Sequence, residues 1–444
     1  MDLLTGRVKP VYLRYLSAAF GSAMITSVYS IVDMAMVGQY QGPDGTAALA
    51  VVAPVWNVIY SLGLLMGIGG SVIFSTARGQ AGGKAAAENE YFTASVLGSA
   101  VLAAAAWLAL ALFERPLLLF FGADQALLGL AMAYLQPIKA VLPLFLFNQM
   151  LAAFLRNDGD PGLATAGVLA GGLFNVAGDW FFVFALDMGV FGAGLATAIG
   201  AGITFVVLLS HFWGKKNTLA LQKPTRLPHK LKKIAVTGFA TFFVDVAMGI
   251  LTVLFNRQIM RYLGADALAV YGPIVNVSTF VQCCAYSVGK AAQPIISMNF
   301  GARQWGRIRE TLRYALYTVA AFSLFWTGLS LAWPNLYVHI FMKPTANILR
   351  IAPAIVRCYG LSFLLLPLNI FSTYYFQALL RPGAAFAVSV LRGCAVSGAL
   401  ILLLPLWAGP GAIWLAMPVT ELLVAVYAAS AIARYTRRLA QPGA

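Results

Sequence analysis

Twelve times along this chain, apolar residues run for the roughly twenty positions that an α-helix needs to cross a bilayer. Only Gly, Pro and charged residues break the runs. Backbone amides in hydrocarbon must find partners within their own segment, so runs of this kind fold as helices. Hydrophobic continuity and its breaks place the spans at about 11–38, 47–77, 91–113, 130–155, 162–187, 190–213, 234–260, 267–298, 311–333, 350–380, 383–407 and 411–433. Pro54, Pro143, Pro273, Pro294, Pro367 and Pro418 are candidate kinks. An all-α polytopic membrane protein follows. The chain is 60% hydrophobic and only 10% charged, whereas a soluble domain carries about 25% charge; an ordinary cytosolic enzyme is excluded. Cys283, Cys284, Cys358 and Cys394 sit inside apolar runs without metal-type spacing and read as packing residues. The basic N-terminus is not followed by a short apolar core and a small-residue cleavage site. The first span is therefore expected to serve as the insertion signal itself.

A net charge of +15, from 30 Lys+Arg against 15 Asp+Glu, would suggest nucleic acid if the bases shared one solvated face. They lie between apolar spans instead. Arg115, Arg261, Lys343 and Arg350 fall on the side opposite the N-terminus, and Lys139, Arg257, Lys290, Arg357 and Arg392 fall within spans. The other 21 of the 30 lie on the N-terminal side, seven of them in the stretch 214–233. By the positive-inside rule both termini are expected in the cytoplasm, with the protein in the cytoplasmic (inner) membrane. No nucleic-acid partner is expected.

The segment Ala48-Leu-Ala-Val-Val-Ala-Pro54-Val-Trp-Asn57 returns as Ala267-Leu-Ala-Val-Tyr-Gly-Pro273-Ile-Val-Asn276, 219 residues later. Gly70 pairs with Gly289 and Gly82 with Gly301 at the same offset, and Ala153-Phe-Leu-Arg156 resembles Ala378-Leu-Leu-Arg381. A unit of six helices, an even number, returns the chain to its starting side. Two six-helix lobes related by a pseudo-two-fold axis along the membrane normal are therefore expected, with an N-lobe at 1–213, a basic linker at 214–233 and a C-lobe at 234–444.

Asp33, Asp179, Asp245 and Glu421 are the acids deep within these spans. A carboxylate at membrane depth costs at least a few kcal/mol unless it is paired, protonated or wetted, so each is a functional candidate. For each, the alternative is a protonated or Lys/Arg-paired carboxylate that holds helices together. Asn175 and Asp179 are four apart on one helix face. Asp179 lies eight residues before Asp187, and Thr197 eight after Gly189, so both sit roughly 12 Å below the turn between the helices. Asp33 has a comparable depth below Gly42. Two carboxylates, an amide and a hydroxyl at one level suit a proton or a hard cation such as Na+. Asp33 aligns with Phe255 or Asn256 in the repeat, so the lobes are chemically unequal.

Asp33-Met-Ala-Met-Val-Gly38, Ala48-Leu-Ala-Val ahead of Pro54, and Gln293-Pro294 ahead of Asn299-Phe-Gly301-Ala302 resemble the multidrug and toxic compound extrusion (MATE) family. The nearest likeness is to its DinF-like and MepA-like bacterial branches. The resemblance implies export of amphipathic, often cationic organic compounds in exchange for H+ or Na+, through a V-shaped two-lobe cavity with alternating access. It also implies a cation site at Asp33, Asn175, Asp179 and Thr197, with Na+ possible there. In another branch the tenth helix supplies an Asp, but here 350–380 contains no acid, which weakens a C-lobe ion site; Asp245 and Glu421 are still spaced to meet near the midplane.

Lys139 and Lys290 are candidates to neutralise an acid or to fix packing. Gln149, Gln282, Gln293, Asn57, Asn276, Asn369 and Tyr29 either line a cavity or bond helices together. With 29 Phe, 18 Tyr and 9 Trp, aromatic walls for an organic cation are feasible. No catalytic residues and no cofactor beyond the coupling ion are expected, and a functional monomer in lipid is. A flippase for lipid-linked oligosaccharide or polysaccharide is the alternative; twelve spans and few membrane-level bases stand against it. A membrane-embedded enzyme would need a His/acid cluster, HExxH or GxSxG, and the spans carry none.

Overall fold

The computed structural model describes residues 3–82, 88–341 and 344–439. Lys84 and Lys343, counted above in the charge bias, lie outside them. Twelve described helices are long and apolar enough to cross a membrane: α1 Val8–Gln41, α2 Asp44–Gln80, α3 Asn89–Phe120, α4 Gln125–Asn157, α5 Pro161–Ala185, α6 Gly189–Trp213, α7 Leu227–Tyr262, α8 Ala265–Gly301, α9 Trp305–Ala332, α10 Ala346–Ala378, α11 Pro382–Trp407 and α12 Pro410–Arg438. A short helix, Pro334–Phe341, precedes α10.

Local chemistry sets the helix ends. Asp124 caps α4 by accepting from the amides of Ala126 and Leu127, Thr345 caps α10 through Ile348 N, and Pro161 and Pro382 open α5 and α11 where no intrahelical donor is lost. Three helices are irregular in mid-span, and α5 ends in a π turn at Trp180–Ala185. α3 kinks at Phe113 ahead of Pro116, and continues to Phe120. α10 tightens to a 3-10 turn at Leu361–Leu364 before Pro367. α11 widens to a π turn at Leu391–Ala395. The kink in α3 corrects the sequence-based end at 113: Glu114 lies inside the helix and is buried, a fifth membrane-level acid.

The chain forms two compact units, Met1–Gly6 with Ser17–Phe242 and Arg7–Leu16 with Phe243–Ala444. The division runs through α1 and α7 rather than along the linker. Residues 7–16 of α1 belong to the second unit, where Tyr12 Oη donates to Thr318 Oγ1 at 2.9 Å and its ring stacks on Tyr314 at 6.3 Å. The first half of α7 belongs to the first unit, where Lys230 Nζ pairs with Glu90 Oε2 at 3.0 Å. At the 219-residue offset, 7–16 maps onto 226–235, so the two displaced segments are repeat-related. An interhelical hydrogen bond repeats as well. Asn148 Nδ2 donates to Ala201 O at 2.9 Å, and Asn369 Nδ2 to Glu421 O at 2.8 Å, offsets of 221 and 220.

The basic stretch 214–233 is not a free tether. Its last residues are already helical, because α7 starts at Leu227. The rest is bound to the first unit: Asn89 Nδ2 donates to Thr218 O and Asn89 Oδ1 accepts from Ala220 N, both at 3.1 Å; Gln222 N donates to Thr93 Oγ1 at 2.9 Å and Thr225 Oγ1 to Glu90 Oε2 at 2.7 Å. Asp158, in the turn between α4 and α5, is the hub. It accepts from Arg78 Nη1 at 2.6 Å, from Thr218 N at 2.9 Å and from Thr218 Oγ1, and lies 2.7 Å from His211 Nε2. Two linker bases are paired rather than merely solvated, Lys216 with Asp160 and Lys230 with Glu90.

Candidate cation site in the first unit

Four helices converge on one level of the first unit. α1 brings Asp33 eight residues before its end at Gln41, α5 brings Asn175 and Asp179 on successive turns, and α6 brings Thr197 eight residues after its start at Gly189. α4 adds Tyr134, nine residues after Gln125. Tyr134 Oη donates to Asp33 Oδ2 at 2.8 Å, and Asn175 Nδ2 lies 3.1 Å from Thr197 Oγ1 and 3.4 Å from Asp179 Oδ1. Asp33 is 7% exposed and Asp179 0%.

The carboxylates repel each other electrostatically. Among the described residues none of the ion pairs includes Asp33 or Asp179. Asp33 Oδ1, Asp179 Oδ2 and Asn175 Oδ1 are buried without a hydrogen-bond partner. Negative charge buried this way is costly unless positive charge joins it. The open oxygens and the Thr197 hydroxyl form an all-oxygen donor set, the kind that takes a proton or a hard cation and offers nothing to a thiophilic metal. The four residues chosen from sequence are thus brought together. Tyr134 is the member that sequence reading missed. It lies about 13 Å along α4 from the helix start, the same depth criterion that selected the others.

Gly194 holds Tyr134 in place. A Cβ at Gly194 would overlap the Tyr134 carbonyl, so α4 and α6 approach as closely as they do only because the side chain is absent. Gly194→Val is expected to push Tyr134 away from Asp33 and to cost about 1–3 kcal/mol of stability. A thermal midpoint equal to that of wild type would refute this packing role.

The remaining candidates are distributed differently. Tyr29, one turn before Asp33, feels its charge and is half-buried. Lys139 Nζ bonds Glu114 Oε2 at 2.6 Å and so neutralises the acid on α3, not the site. Asp245 and Glu421 do not pair with each other. Glu421 Oε1 accepts from Arg392 Nε at 2.8 Å and its Oε2 from Asn369 Nδ2 at 2.6 Å, whereas Asp245 Oδ1 lies 3.5 Å from Tyr286 Oη. Helix rotation decides this: Glu421 faces α10 and α11. Lys290 and Gln149 are half-buried, Gln293 is buried and Asn276 is exposed. Asn369 proves to be an interhelical bonding residue.

The MatE family profile matches residues 18–181 and 239–397, more than half of the chain. The multidrug export protein MepA of Staphylococcus saprophyticus is 23% identical over 395 residues, covering 88% of this chain and 86% of the relative. MepA of Staphylococcus aureus is 23% identical over 394 residues with the same coverage. A solved structure described as an outward-facing multidrug resistance MATE family transporter of the MOP superfamily superposes with a TM-score of 0.90 at 18% identity, covering 98% of both chains. A MOP superfamily transporter from Pyrococcus furiosus, described as having a binding pocket of reversed polarity that suggests a different function, superposes with a TM-score of 0.91 at 18% identity, covering 99% of this chain and 98% of that one.

Proposed function

The chain belongs to the MatE family, and from that premise we propose that it is a secondary active antiporter that exports amphipathic, often cationic organic compounds in exchange for H+ or Na+. The observation that carries the proposal is the buried acid pair Asp33 and Asp179, whose open oxygens have no partner among the described residues. The names of the MepA relatives support export of drugs as the direction and class of transport.

A cation entering between Asp33 and Asp179 removes their mutual repulsion and draws α1 toward α5. The carrier state in which the two helices are close is thereby favoured. Departure of the cation favours the state in which they are apart. If substrate prefers that second state, ion and substrate compete through the conformational equilibrium, and the coupling is reciprocal. Tyr134 holds the Asp33 carboxylate in place while the cation exchanges. The basic side of the protein faces the cytoplasm, so ions enter the site from the opposite side and move inward. One protomer contains every residue of this site, and a monomer suffices.

The test is movement of ethidium in proteoliposomes under separately imposed pH and Na+ gradients. At least one gradient should drive counter-movement. Ethidium flux indifferent to both would overturn the proposal.

A further inference from the structure

The second unit holds a buried ion pair that the first unit lacks, and the repeat shows what stands in its place. Because Asn148 bonds Ala201 O as Asn369 bonds Glu421 O, Ala201 and Glu421 occupy equivalent positions. The same offsets of 220 and 221 carry Arg392 back to Gly172 and Gly171. In the first unit these are sites of small-residue packing: α5 and α6 cross so closely at Gly171 that a Cβ would overlap Gly200 O. In the second unit the equivalent positions carry an ion pair, Arg392 Nε to Glu421 Oε1 at 2.8 Å, with side-chain exposures of 2% and 0%. Regular α-helix continues through 171 and 172 in α5, whereas α11 makes its π turn across Arg392. The extra residue in that turn lets a long side chain lie between α11 and α12 instead of projecting outward.

The acids are balanced differently: Glu421 is met by Arg392 and Glu114 of the first unit by Lys139, whereas among the described residues no ion pair includes Asp33 or Asp179. Asp33 and Asp179 keep open oxygens; Glu421 has both oxygens occupied, by Arg392 and by Asn369. The other titratable groups facing the pair are Tyr359 of α10 and Tyr286 of α8, which interact with the guanidinium, and Tyr286 in turn lies against Asp245 of α7.

We propose that Arg392 is a tethered counter-ion that occupies, permanently, the cation requirement of Glu421, and so confines exchangeable cation binding to the Asp33–Asp179 site. This rests on the antiport proposed above and adds to it a specificity device: Glu421 is made ion-independent by an arginine. Guanidinium is suited to the role because it stays charged at every physiological pH and pairs geometrically with a carboxylate. The pair acts as a fixed charge balance, not as a source of net stability, since buried ion pairs gain little over apolar packing of equal volume.

Removing the tether should turn Glu421 into a cation-requiring group. Arg392→Gln, Arg392→Lys, the double variant Arg392→Gln with Glu421→Gln, and Asp33→Asn would be purified, compared with wild type for thermal midpoint between about pH 5 and 8, and assayed for gradient-driven ethidium efflux. R392Q should melt several degrees below wild type, because it leaves a buried carboxylate without its counter-ion. R392K and the double variant should follow the wild-type profile, and the double variant should keep gradient-driven efflux within about twofold. If the double variant melts as far below wild type as R392Q does, the loss is one of packing and not of charge balance, and that result overturns the proposal. So does a double variant that folds but loses its response to the gradient, or one that does not fold. If R392Q is not recovered from membranes, the double variant decides alone. Loss of gradient response in D33N checks the underlying antiport separately, because the second unit is untouched in that variant.

Discussion

Asparagine at either Asp33 or Asp179 is expected to abolish gradient-driven efflux while leaving a folded protein. The substitution preserves size and removes the charge for which the cation enters. For one-for-one exchange of a monovalent cation, a tenfold ion gradient supplies about 1.4 kcal/mol and sustains about a tenfold substrate ratio. Without a coupled ion that ratio relaxes to about one. The stability of the variants should be equal to or greater than that of wild type, because a buried charge without a counter-ion is a cost to the fold. Thr197→Ala should be milder than either, since it removes one neutral oxygen from the set. The measurement is the steady-state ethidium ratio across proteoliposomes under a pH or Na+ gradient, together with a thermal midpoint to show that the protein is intact. If D33N and D179N both sustain the wild-type ratio, the site is wrongly placed.

The second large effect is expected far from that site, at Asp158. Replacing it by Ala leaves the guanidinium of Arg78 with only Glu88, at 3.5 Å, and the amide of Thr218 without a carboxylate. Breaking a buried, hydrogen-bonded charge pair on one side costs about 3–5 kcal/mol. The linker should also come loose, because Thr218 is held to Asp158 and the neighbouring Thr218 carbonyl and Ala220 amide are held to Asn89. Faster tryptic cleavage at Lys215 and Lys216 and a lowered thermal midpoint are the readouts. Unchanged cleavage would show that the linker is held without this hub.

The same carboxylate predicts a pH dependence. Burial pushes Asp158 up, but hydrogen bonds from His211, Thr218 and Arg78 outweigh it and hold the carboxyl below the usual carboxylate range. A group whose folded value is depressed contributes stability that is complete above its ordinary value, about 3.9 for Asp, and is lost as pH falls through the folded value. Wild-type protein should therefore lose stability on acidification below about pH 4, and D158A should lose less over the same window.

Much of the architecture is readable without coordinates, for a physical reason. A bilayer imposes a local requirement, twenty or so apolar residues with internally bonded backbone, and local requirements are written in consecutive residues. The twelve spans follow from it. Their ends are less readable, because helices continue past the apolar stretch where the residues are polar but still helix-forming. The charged start of α7 at Leu227 and the end of α3 beyond its kink at Phe113 are the two cases that mattered, and the second concealed Glu114.

The candidate site was readable in part. Depth along a helix is a one-dimensional quantity, and it selected Asp33, Asn175, Asp179 and Thr197. It applies equally to Tyr134, but with 18 Tyr in the chain a tyrosine is not conspicuous in the way a buried acid is. Its role depends on α4 approaching α6 at Gly194, a distance between helices that sequence does not state.

What the chain's sequence determined by itself is the number and order of the helices, their six-plus-six repeat and the few acids that must be accounted for within the membrane. What only the tertiary structure decided is the partner of each charge. Asp33 meets a tyrosine, Glu114 meets Lys139, Asp158 gathers the linker, and Glu421 meets Arg392 rather than Asp245. Apolar length is set residue by residue along one helix. Charge pairing depends on how neighbouring helices are rotated and how closely they cross, and small residues such as Gly171 and Gly194, tens of positions away in sequence from some of the charges concerned, set those distances.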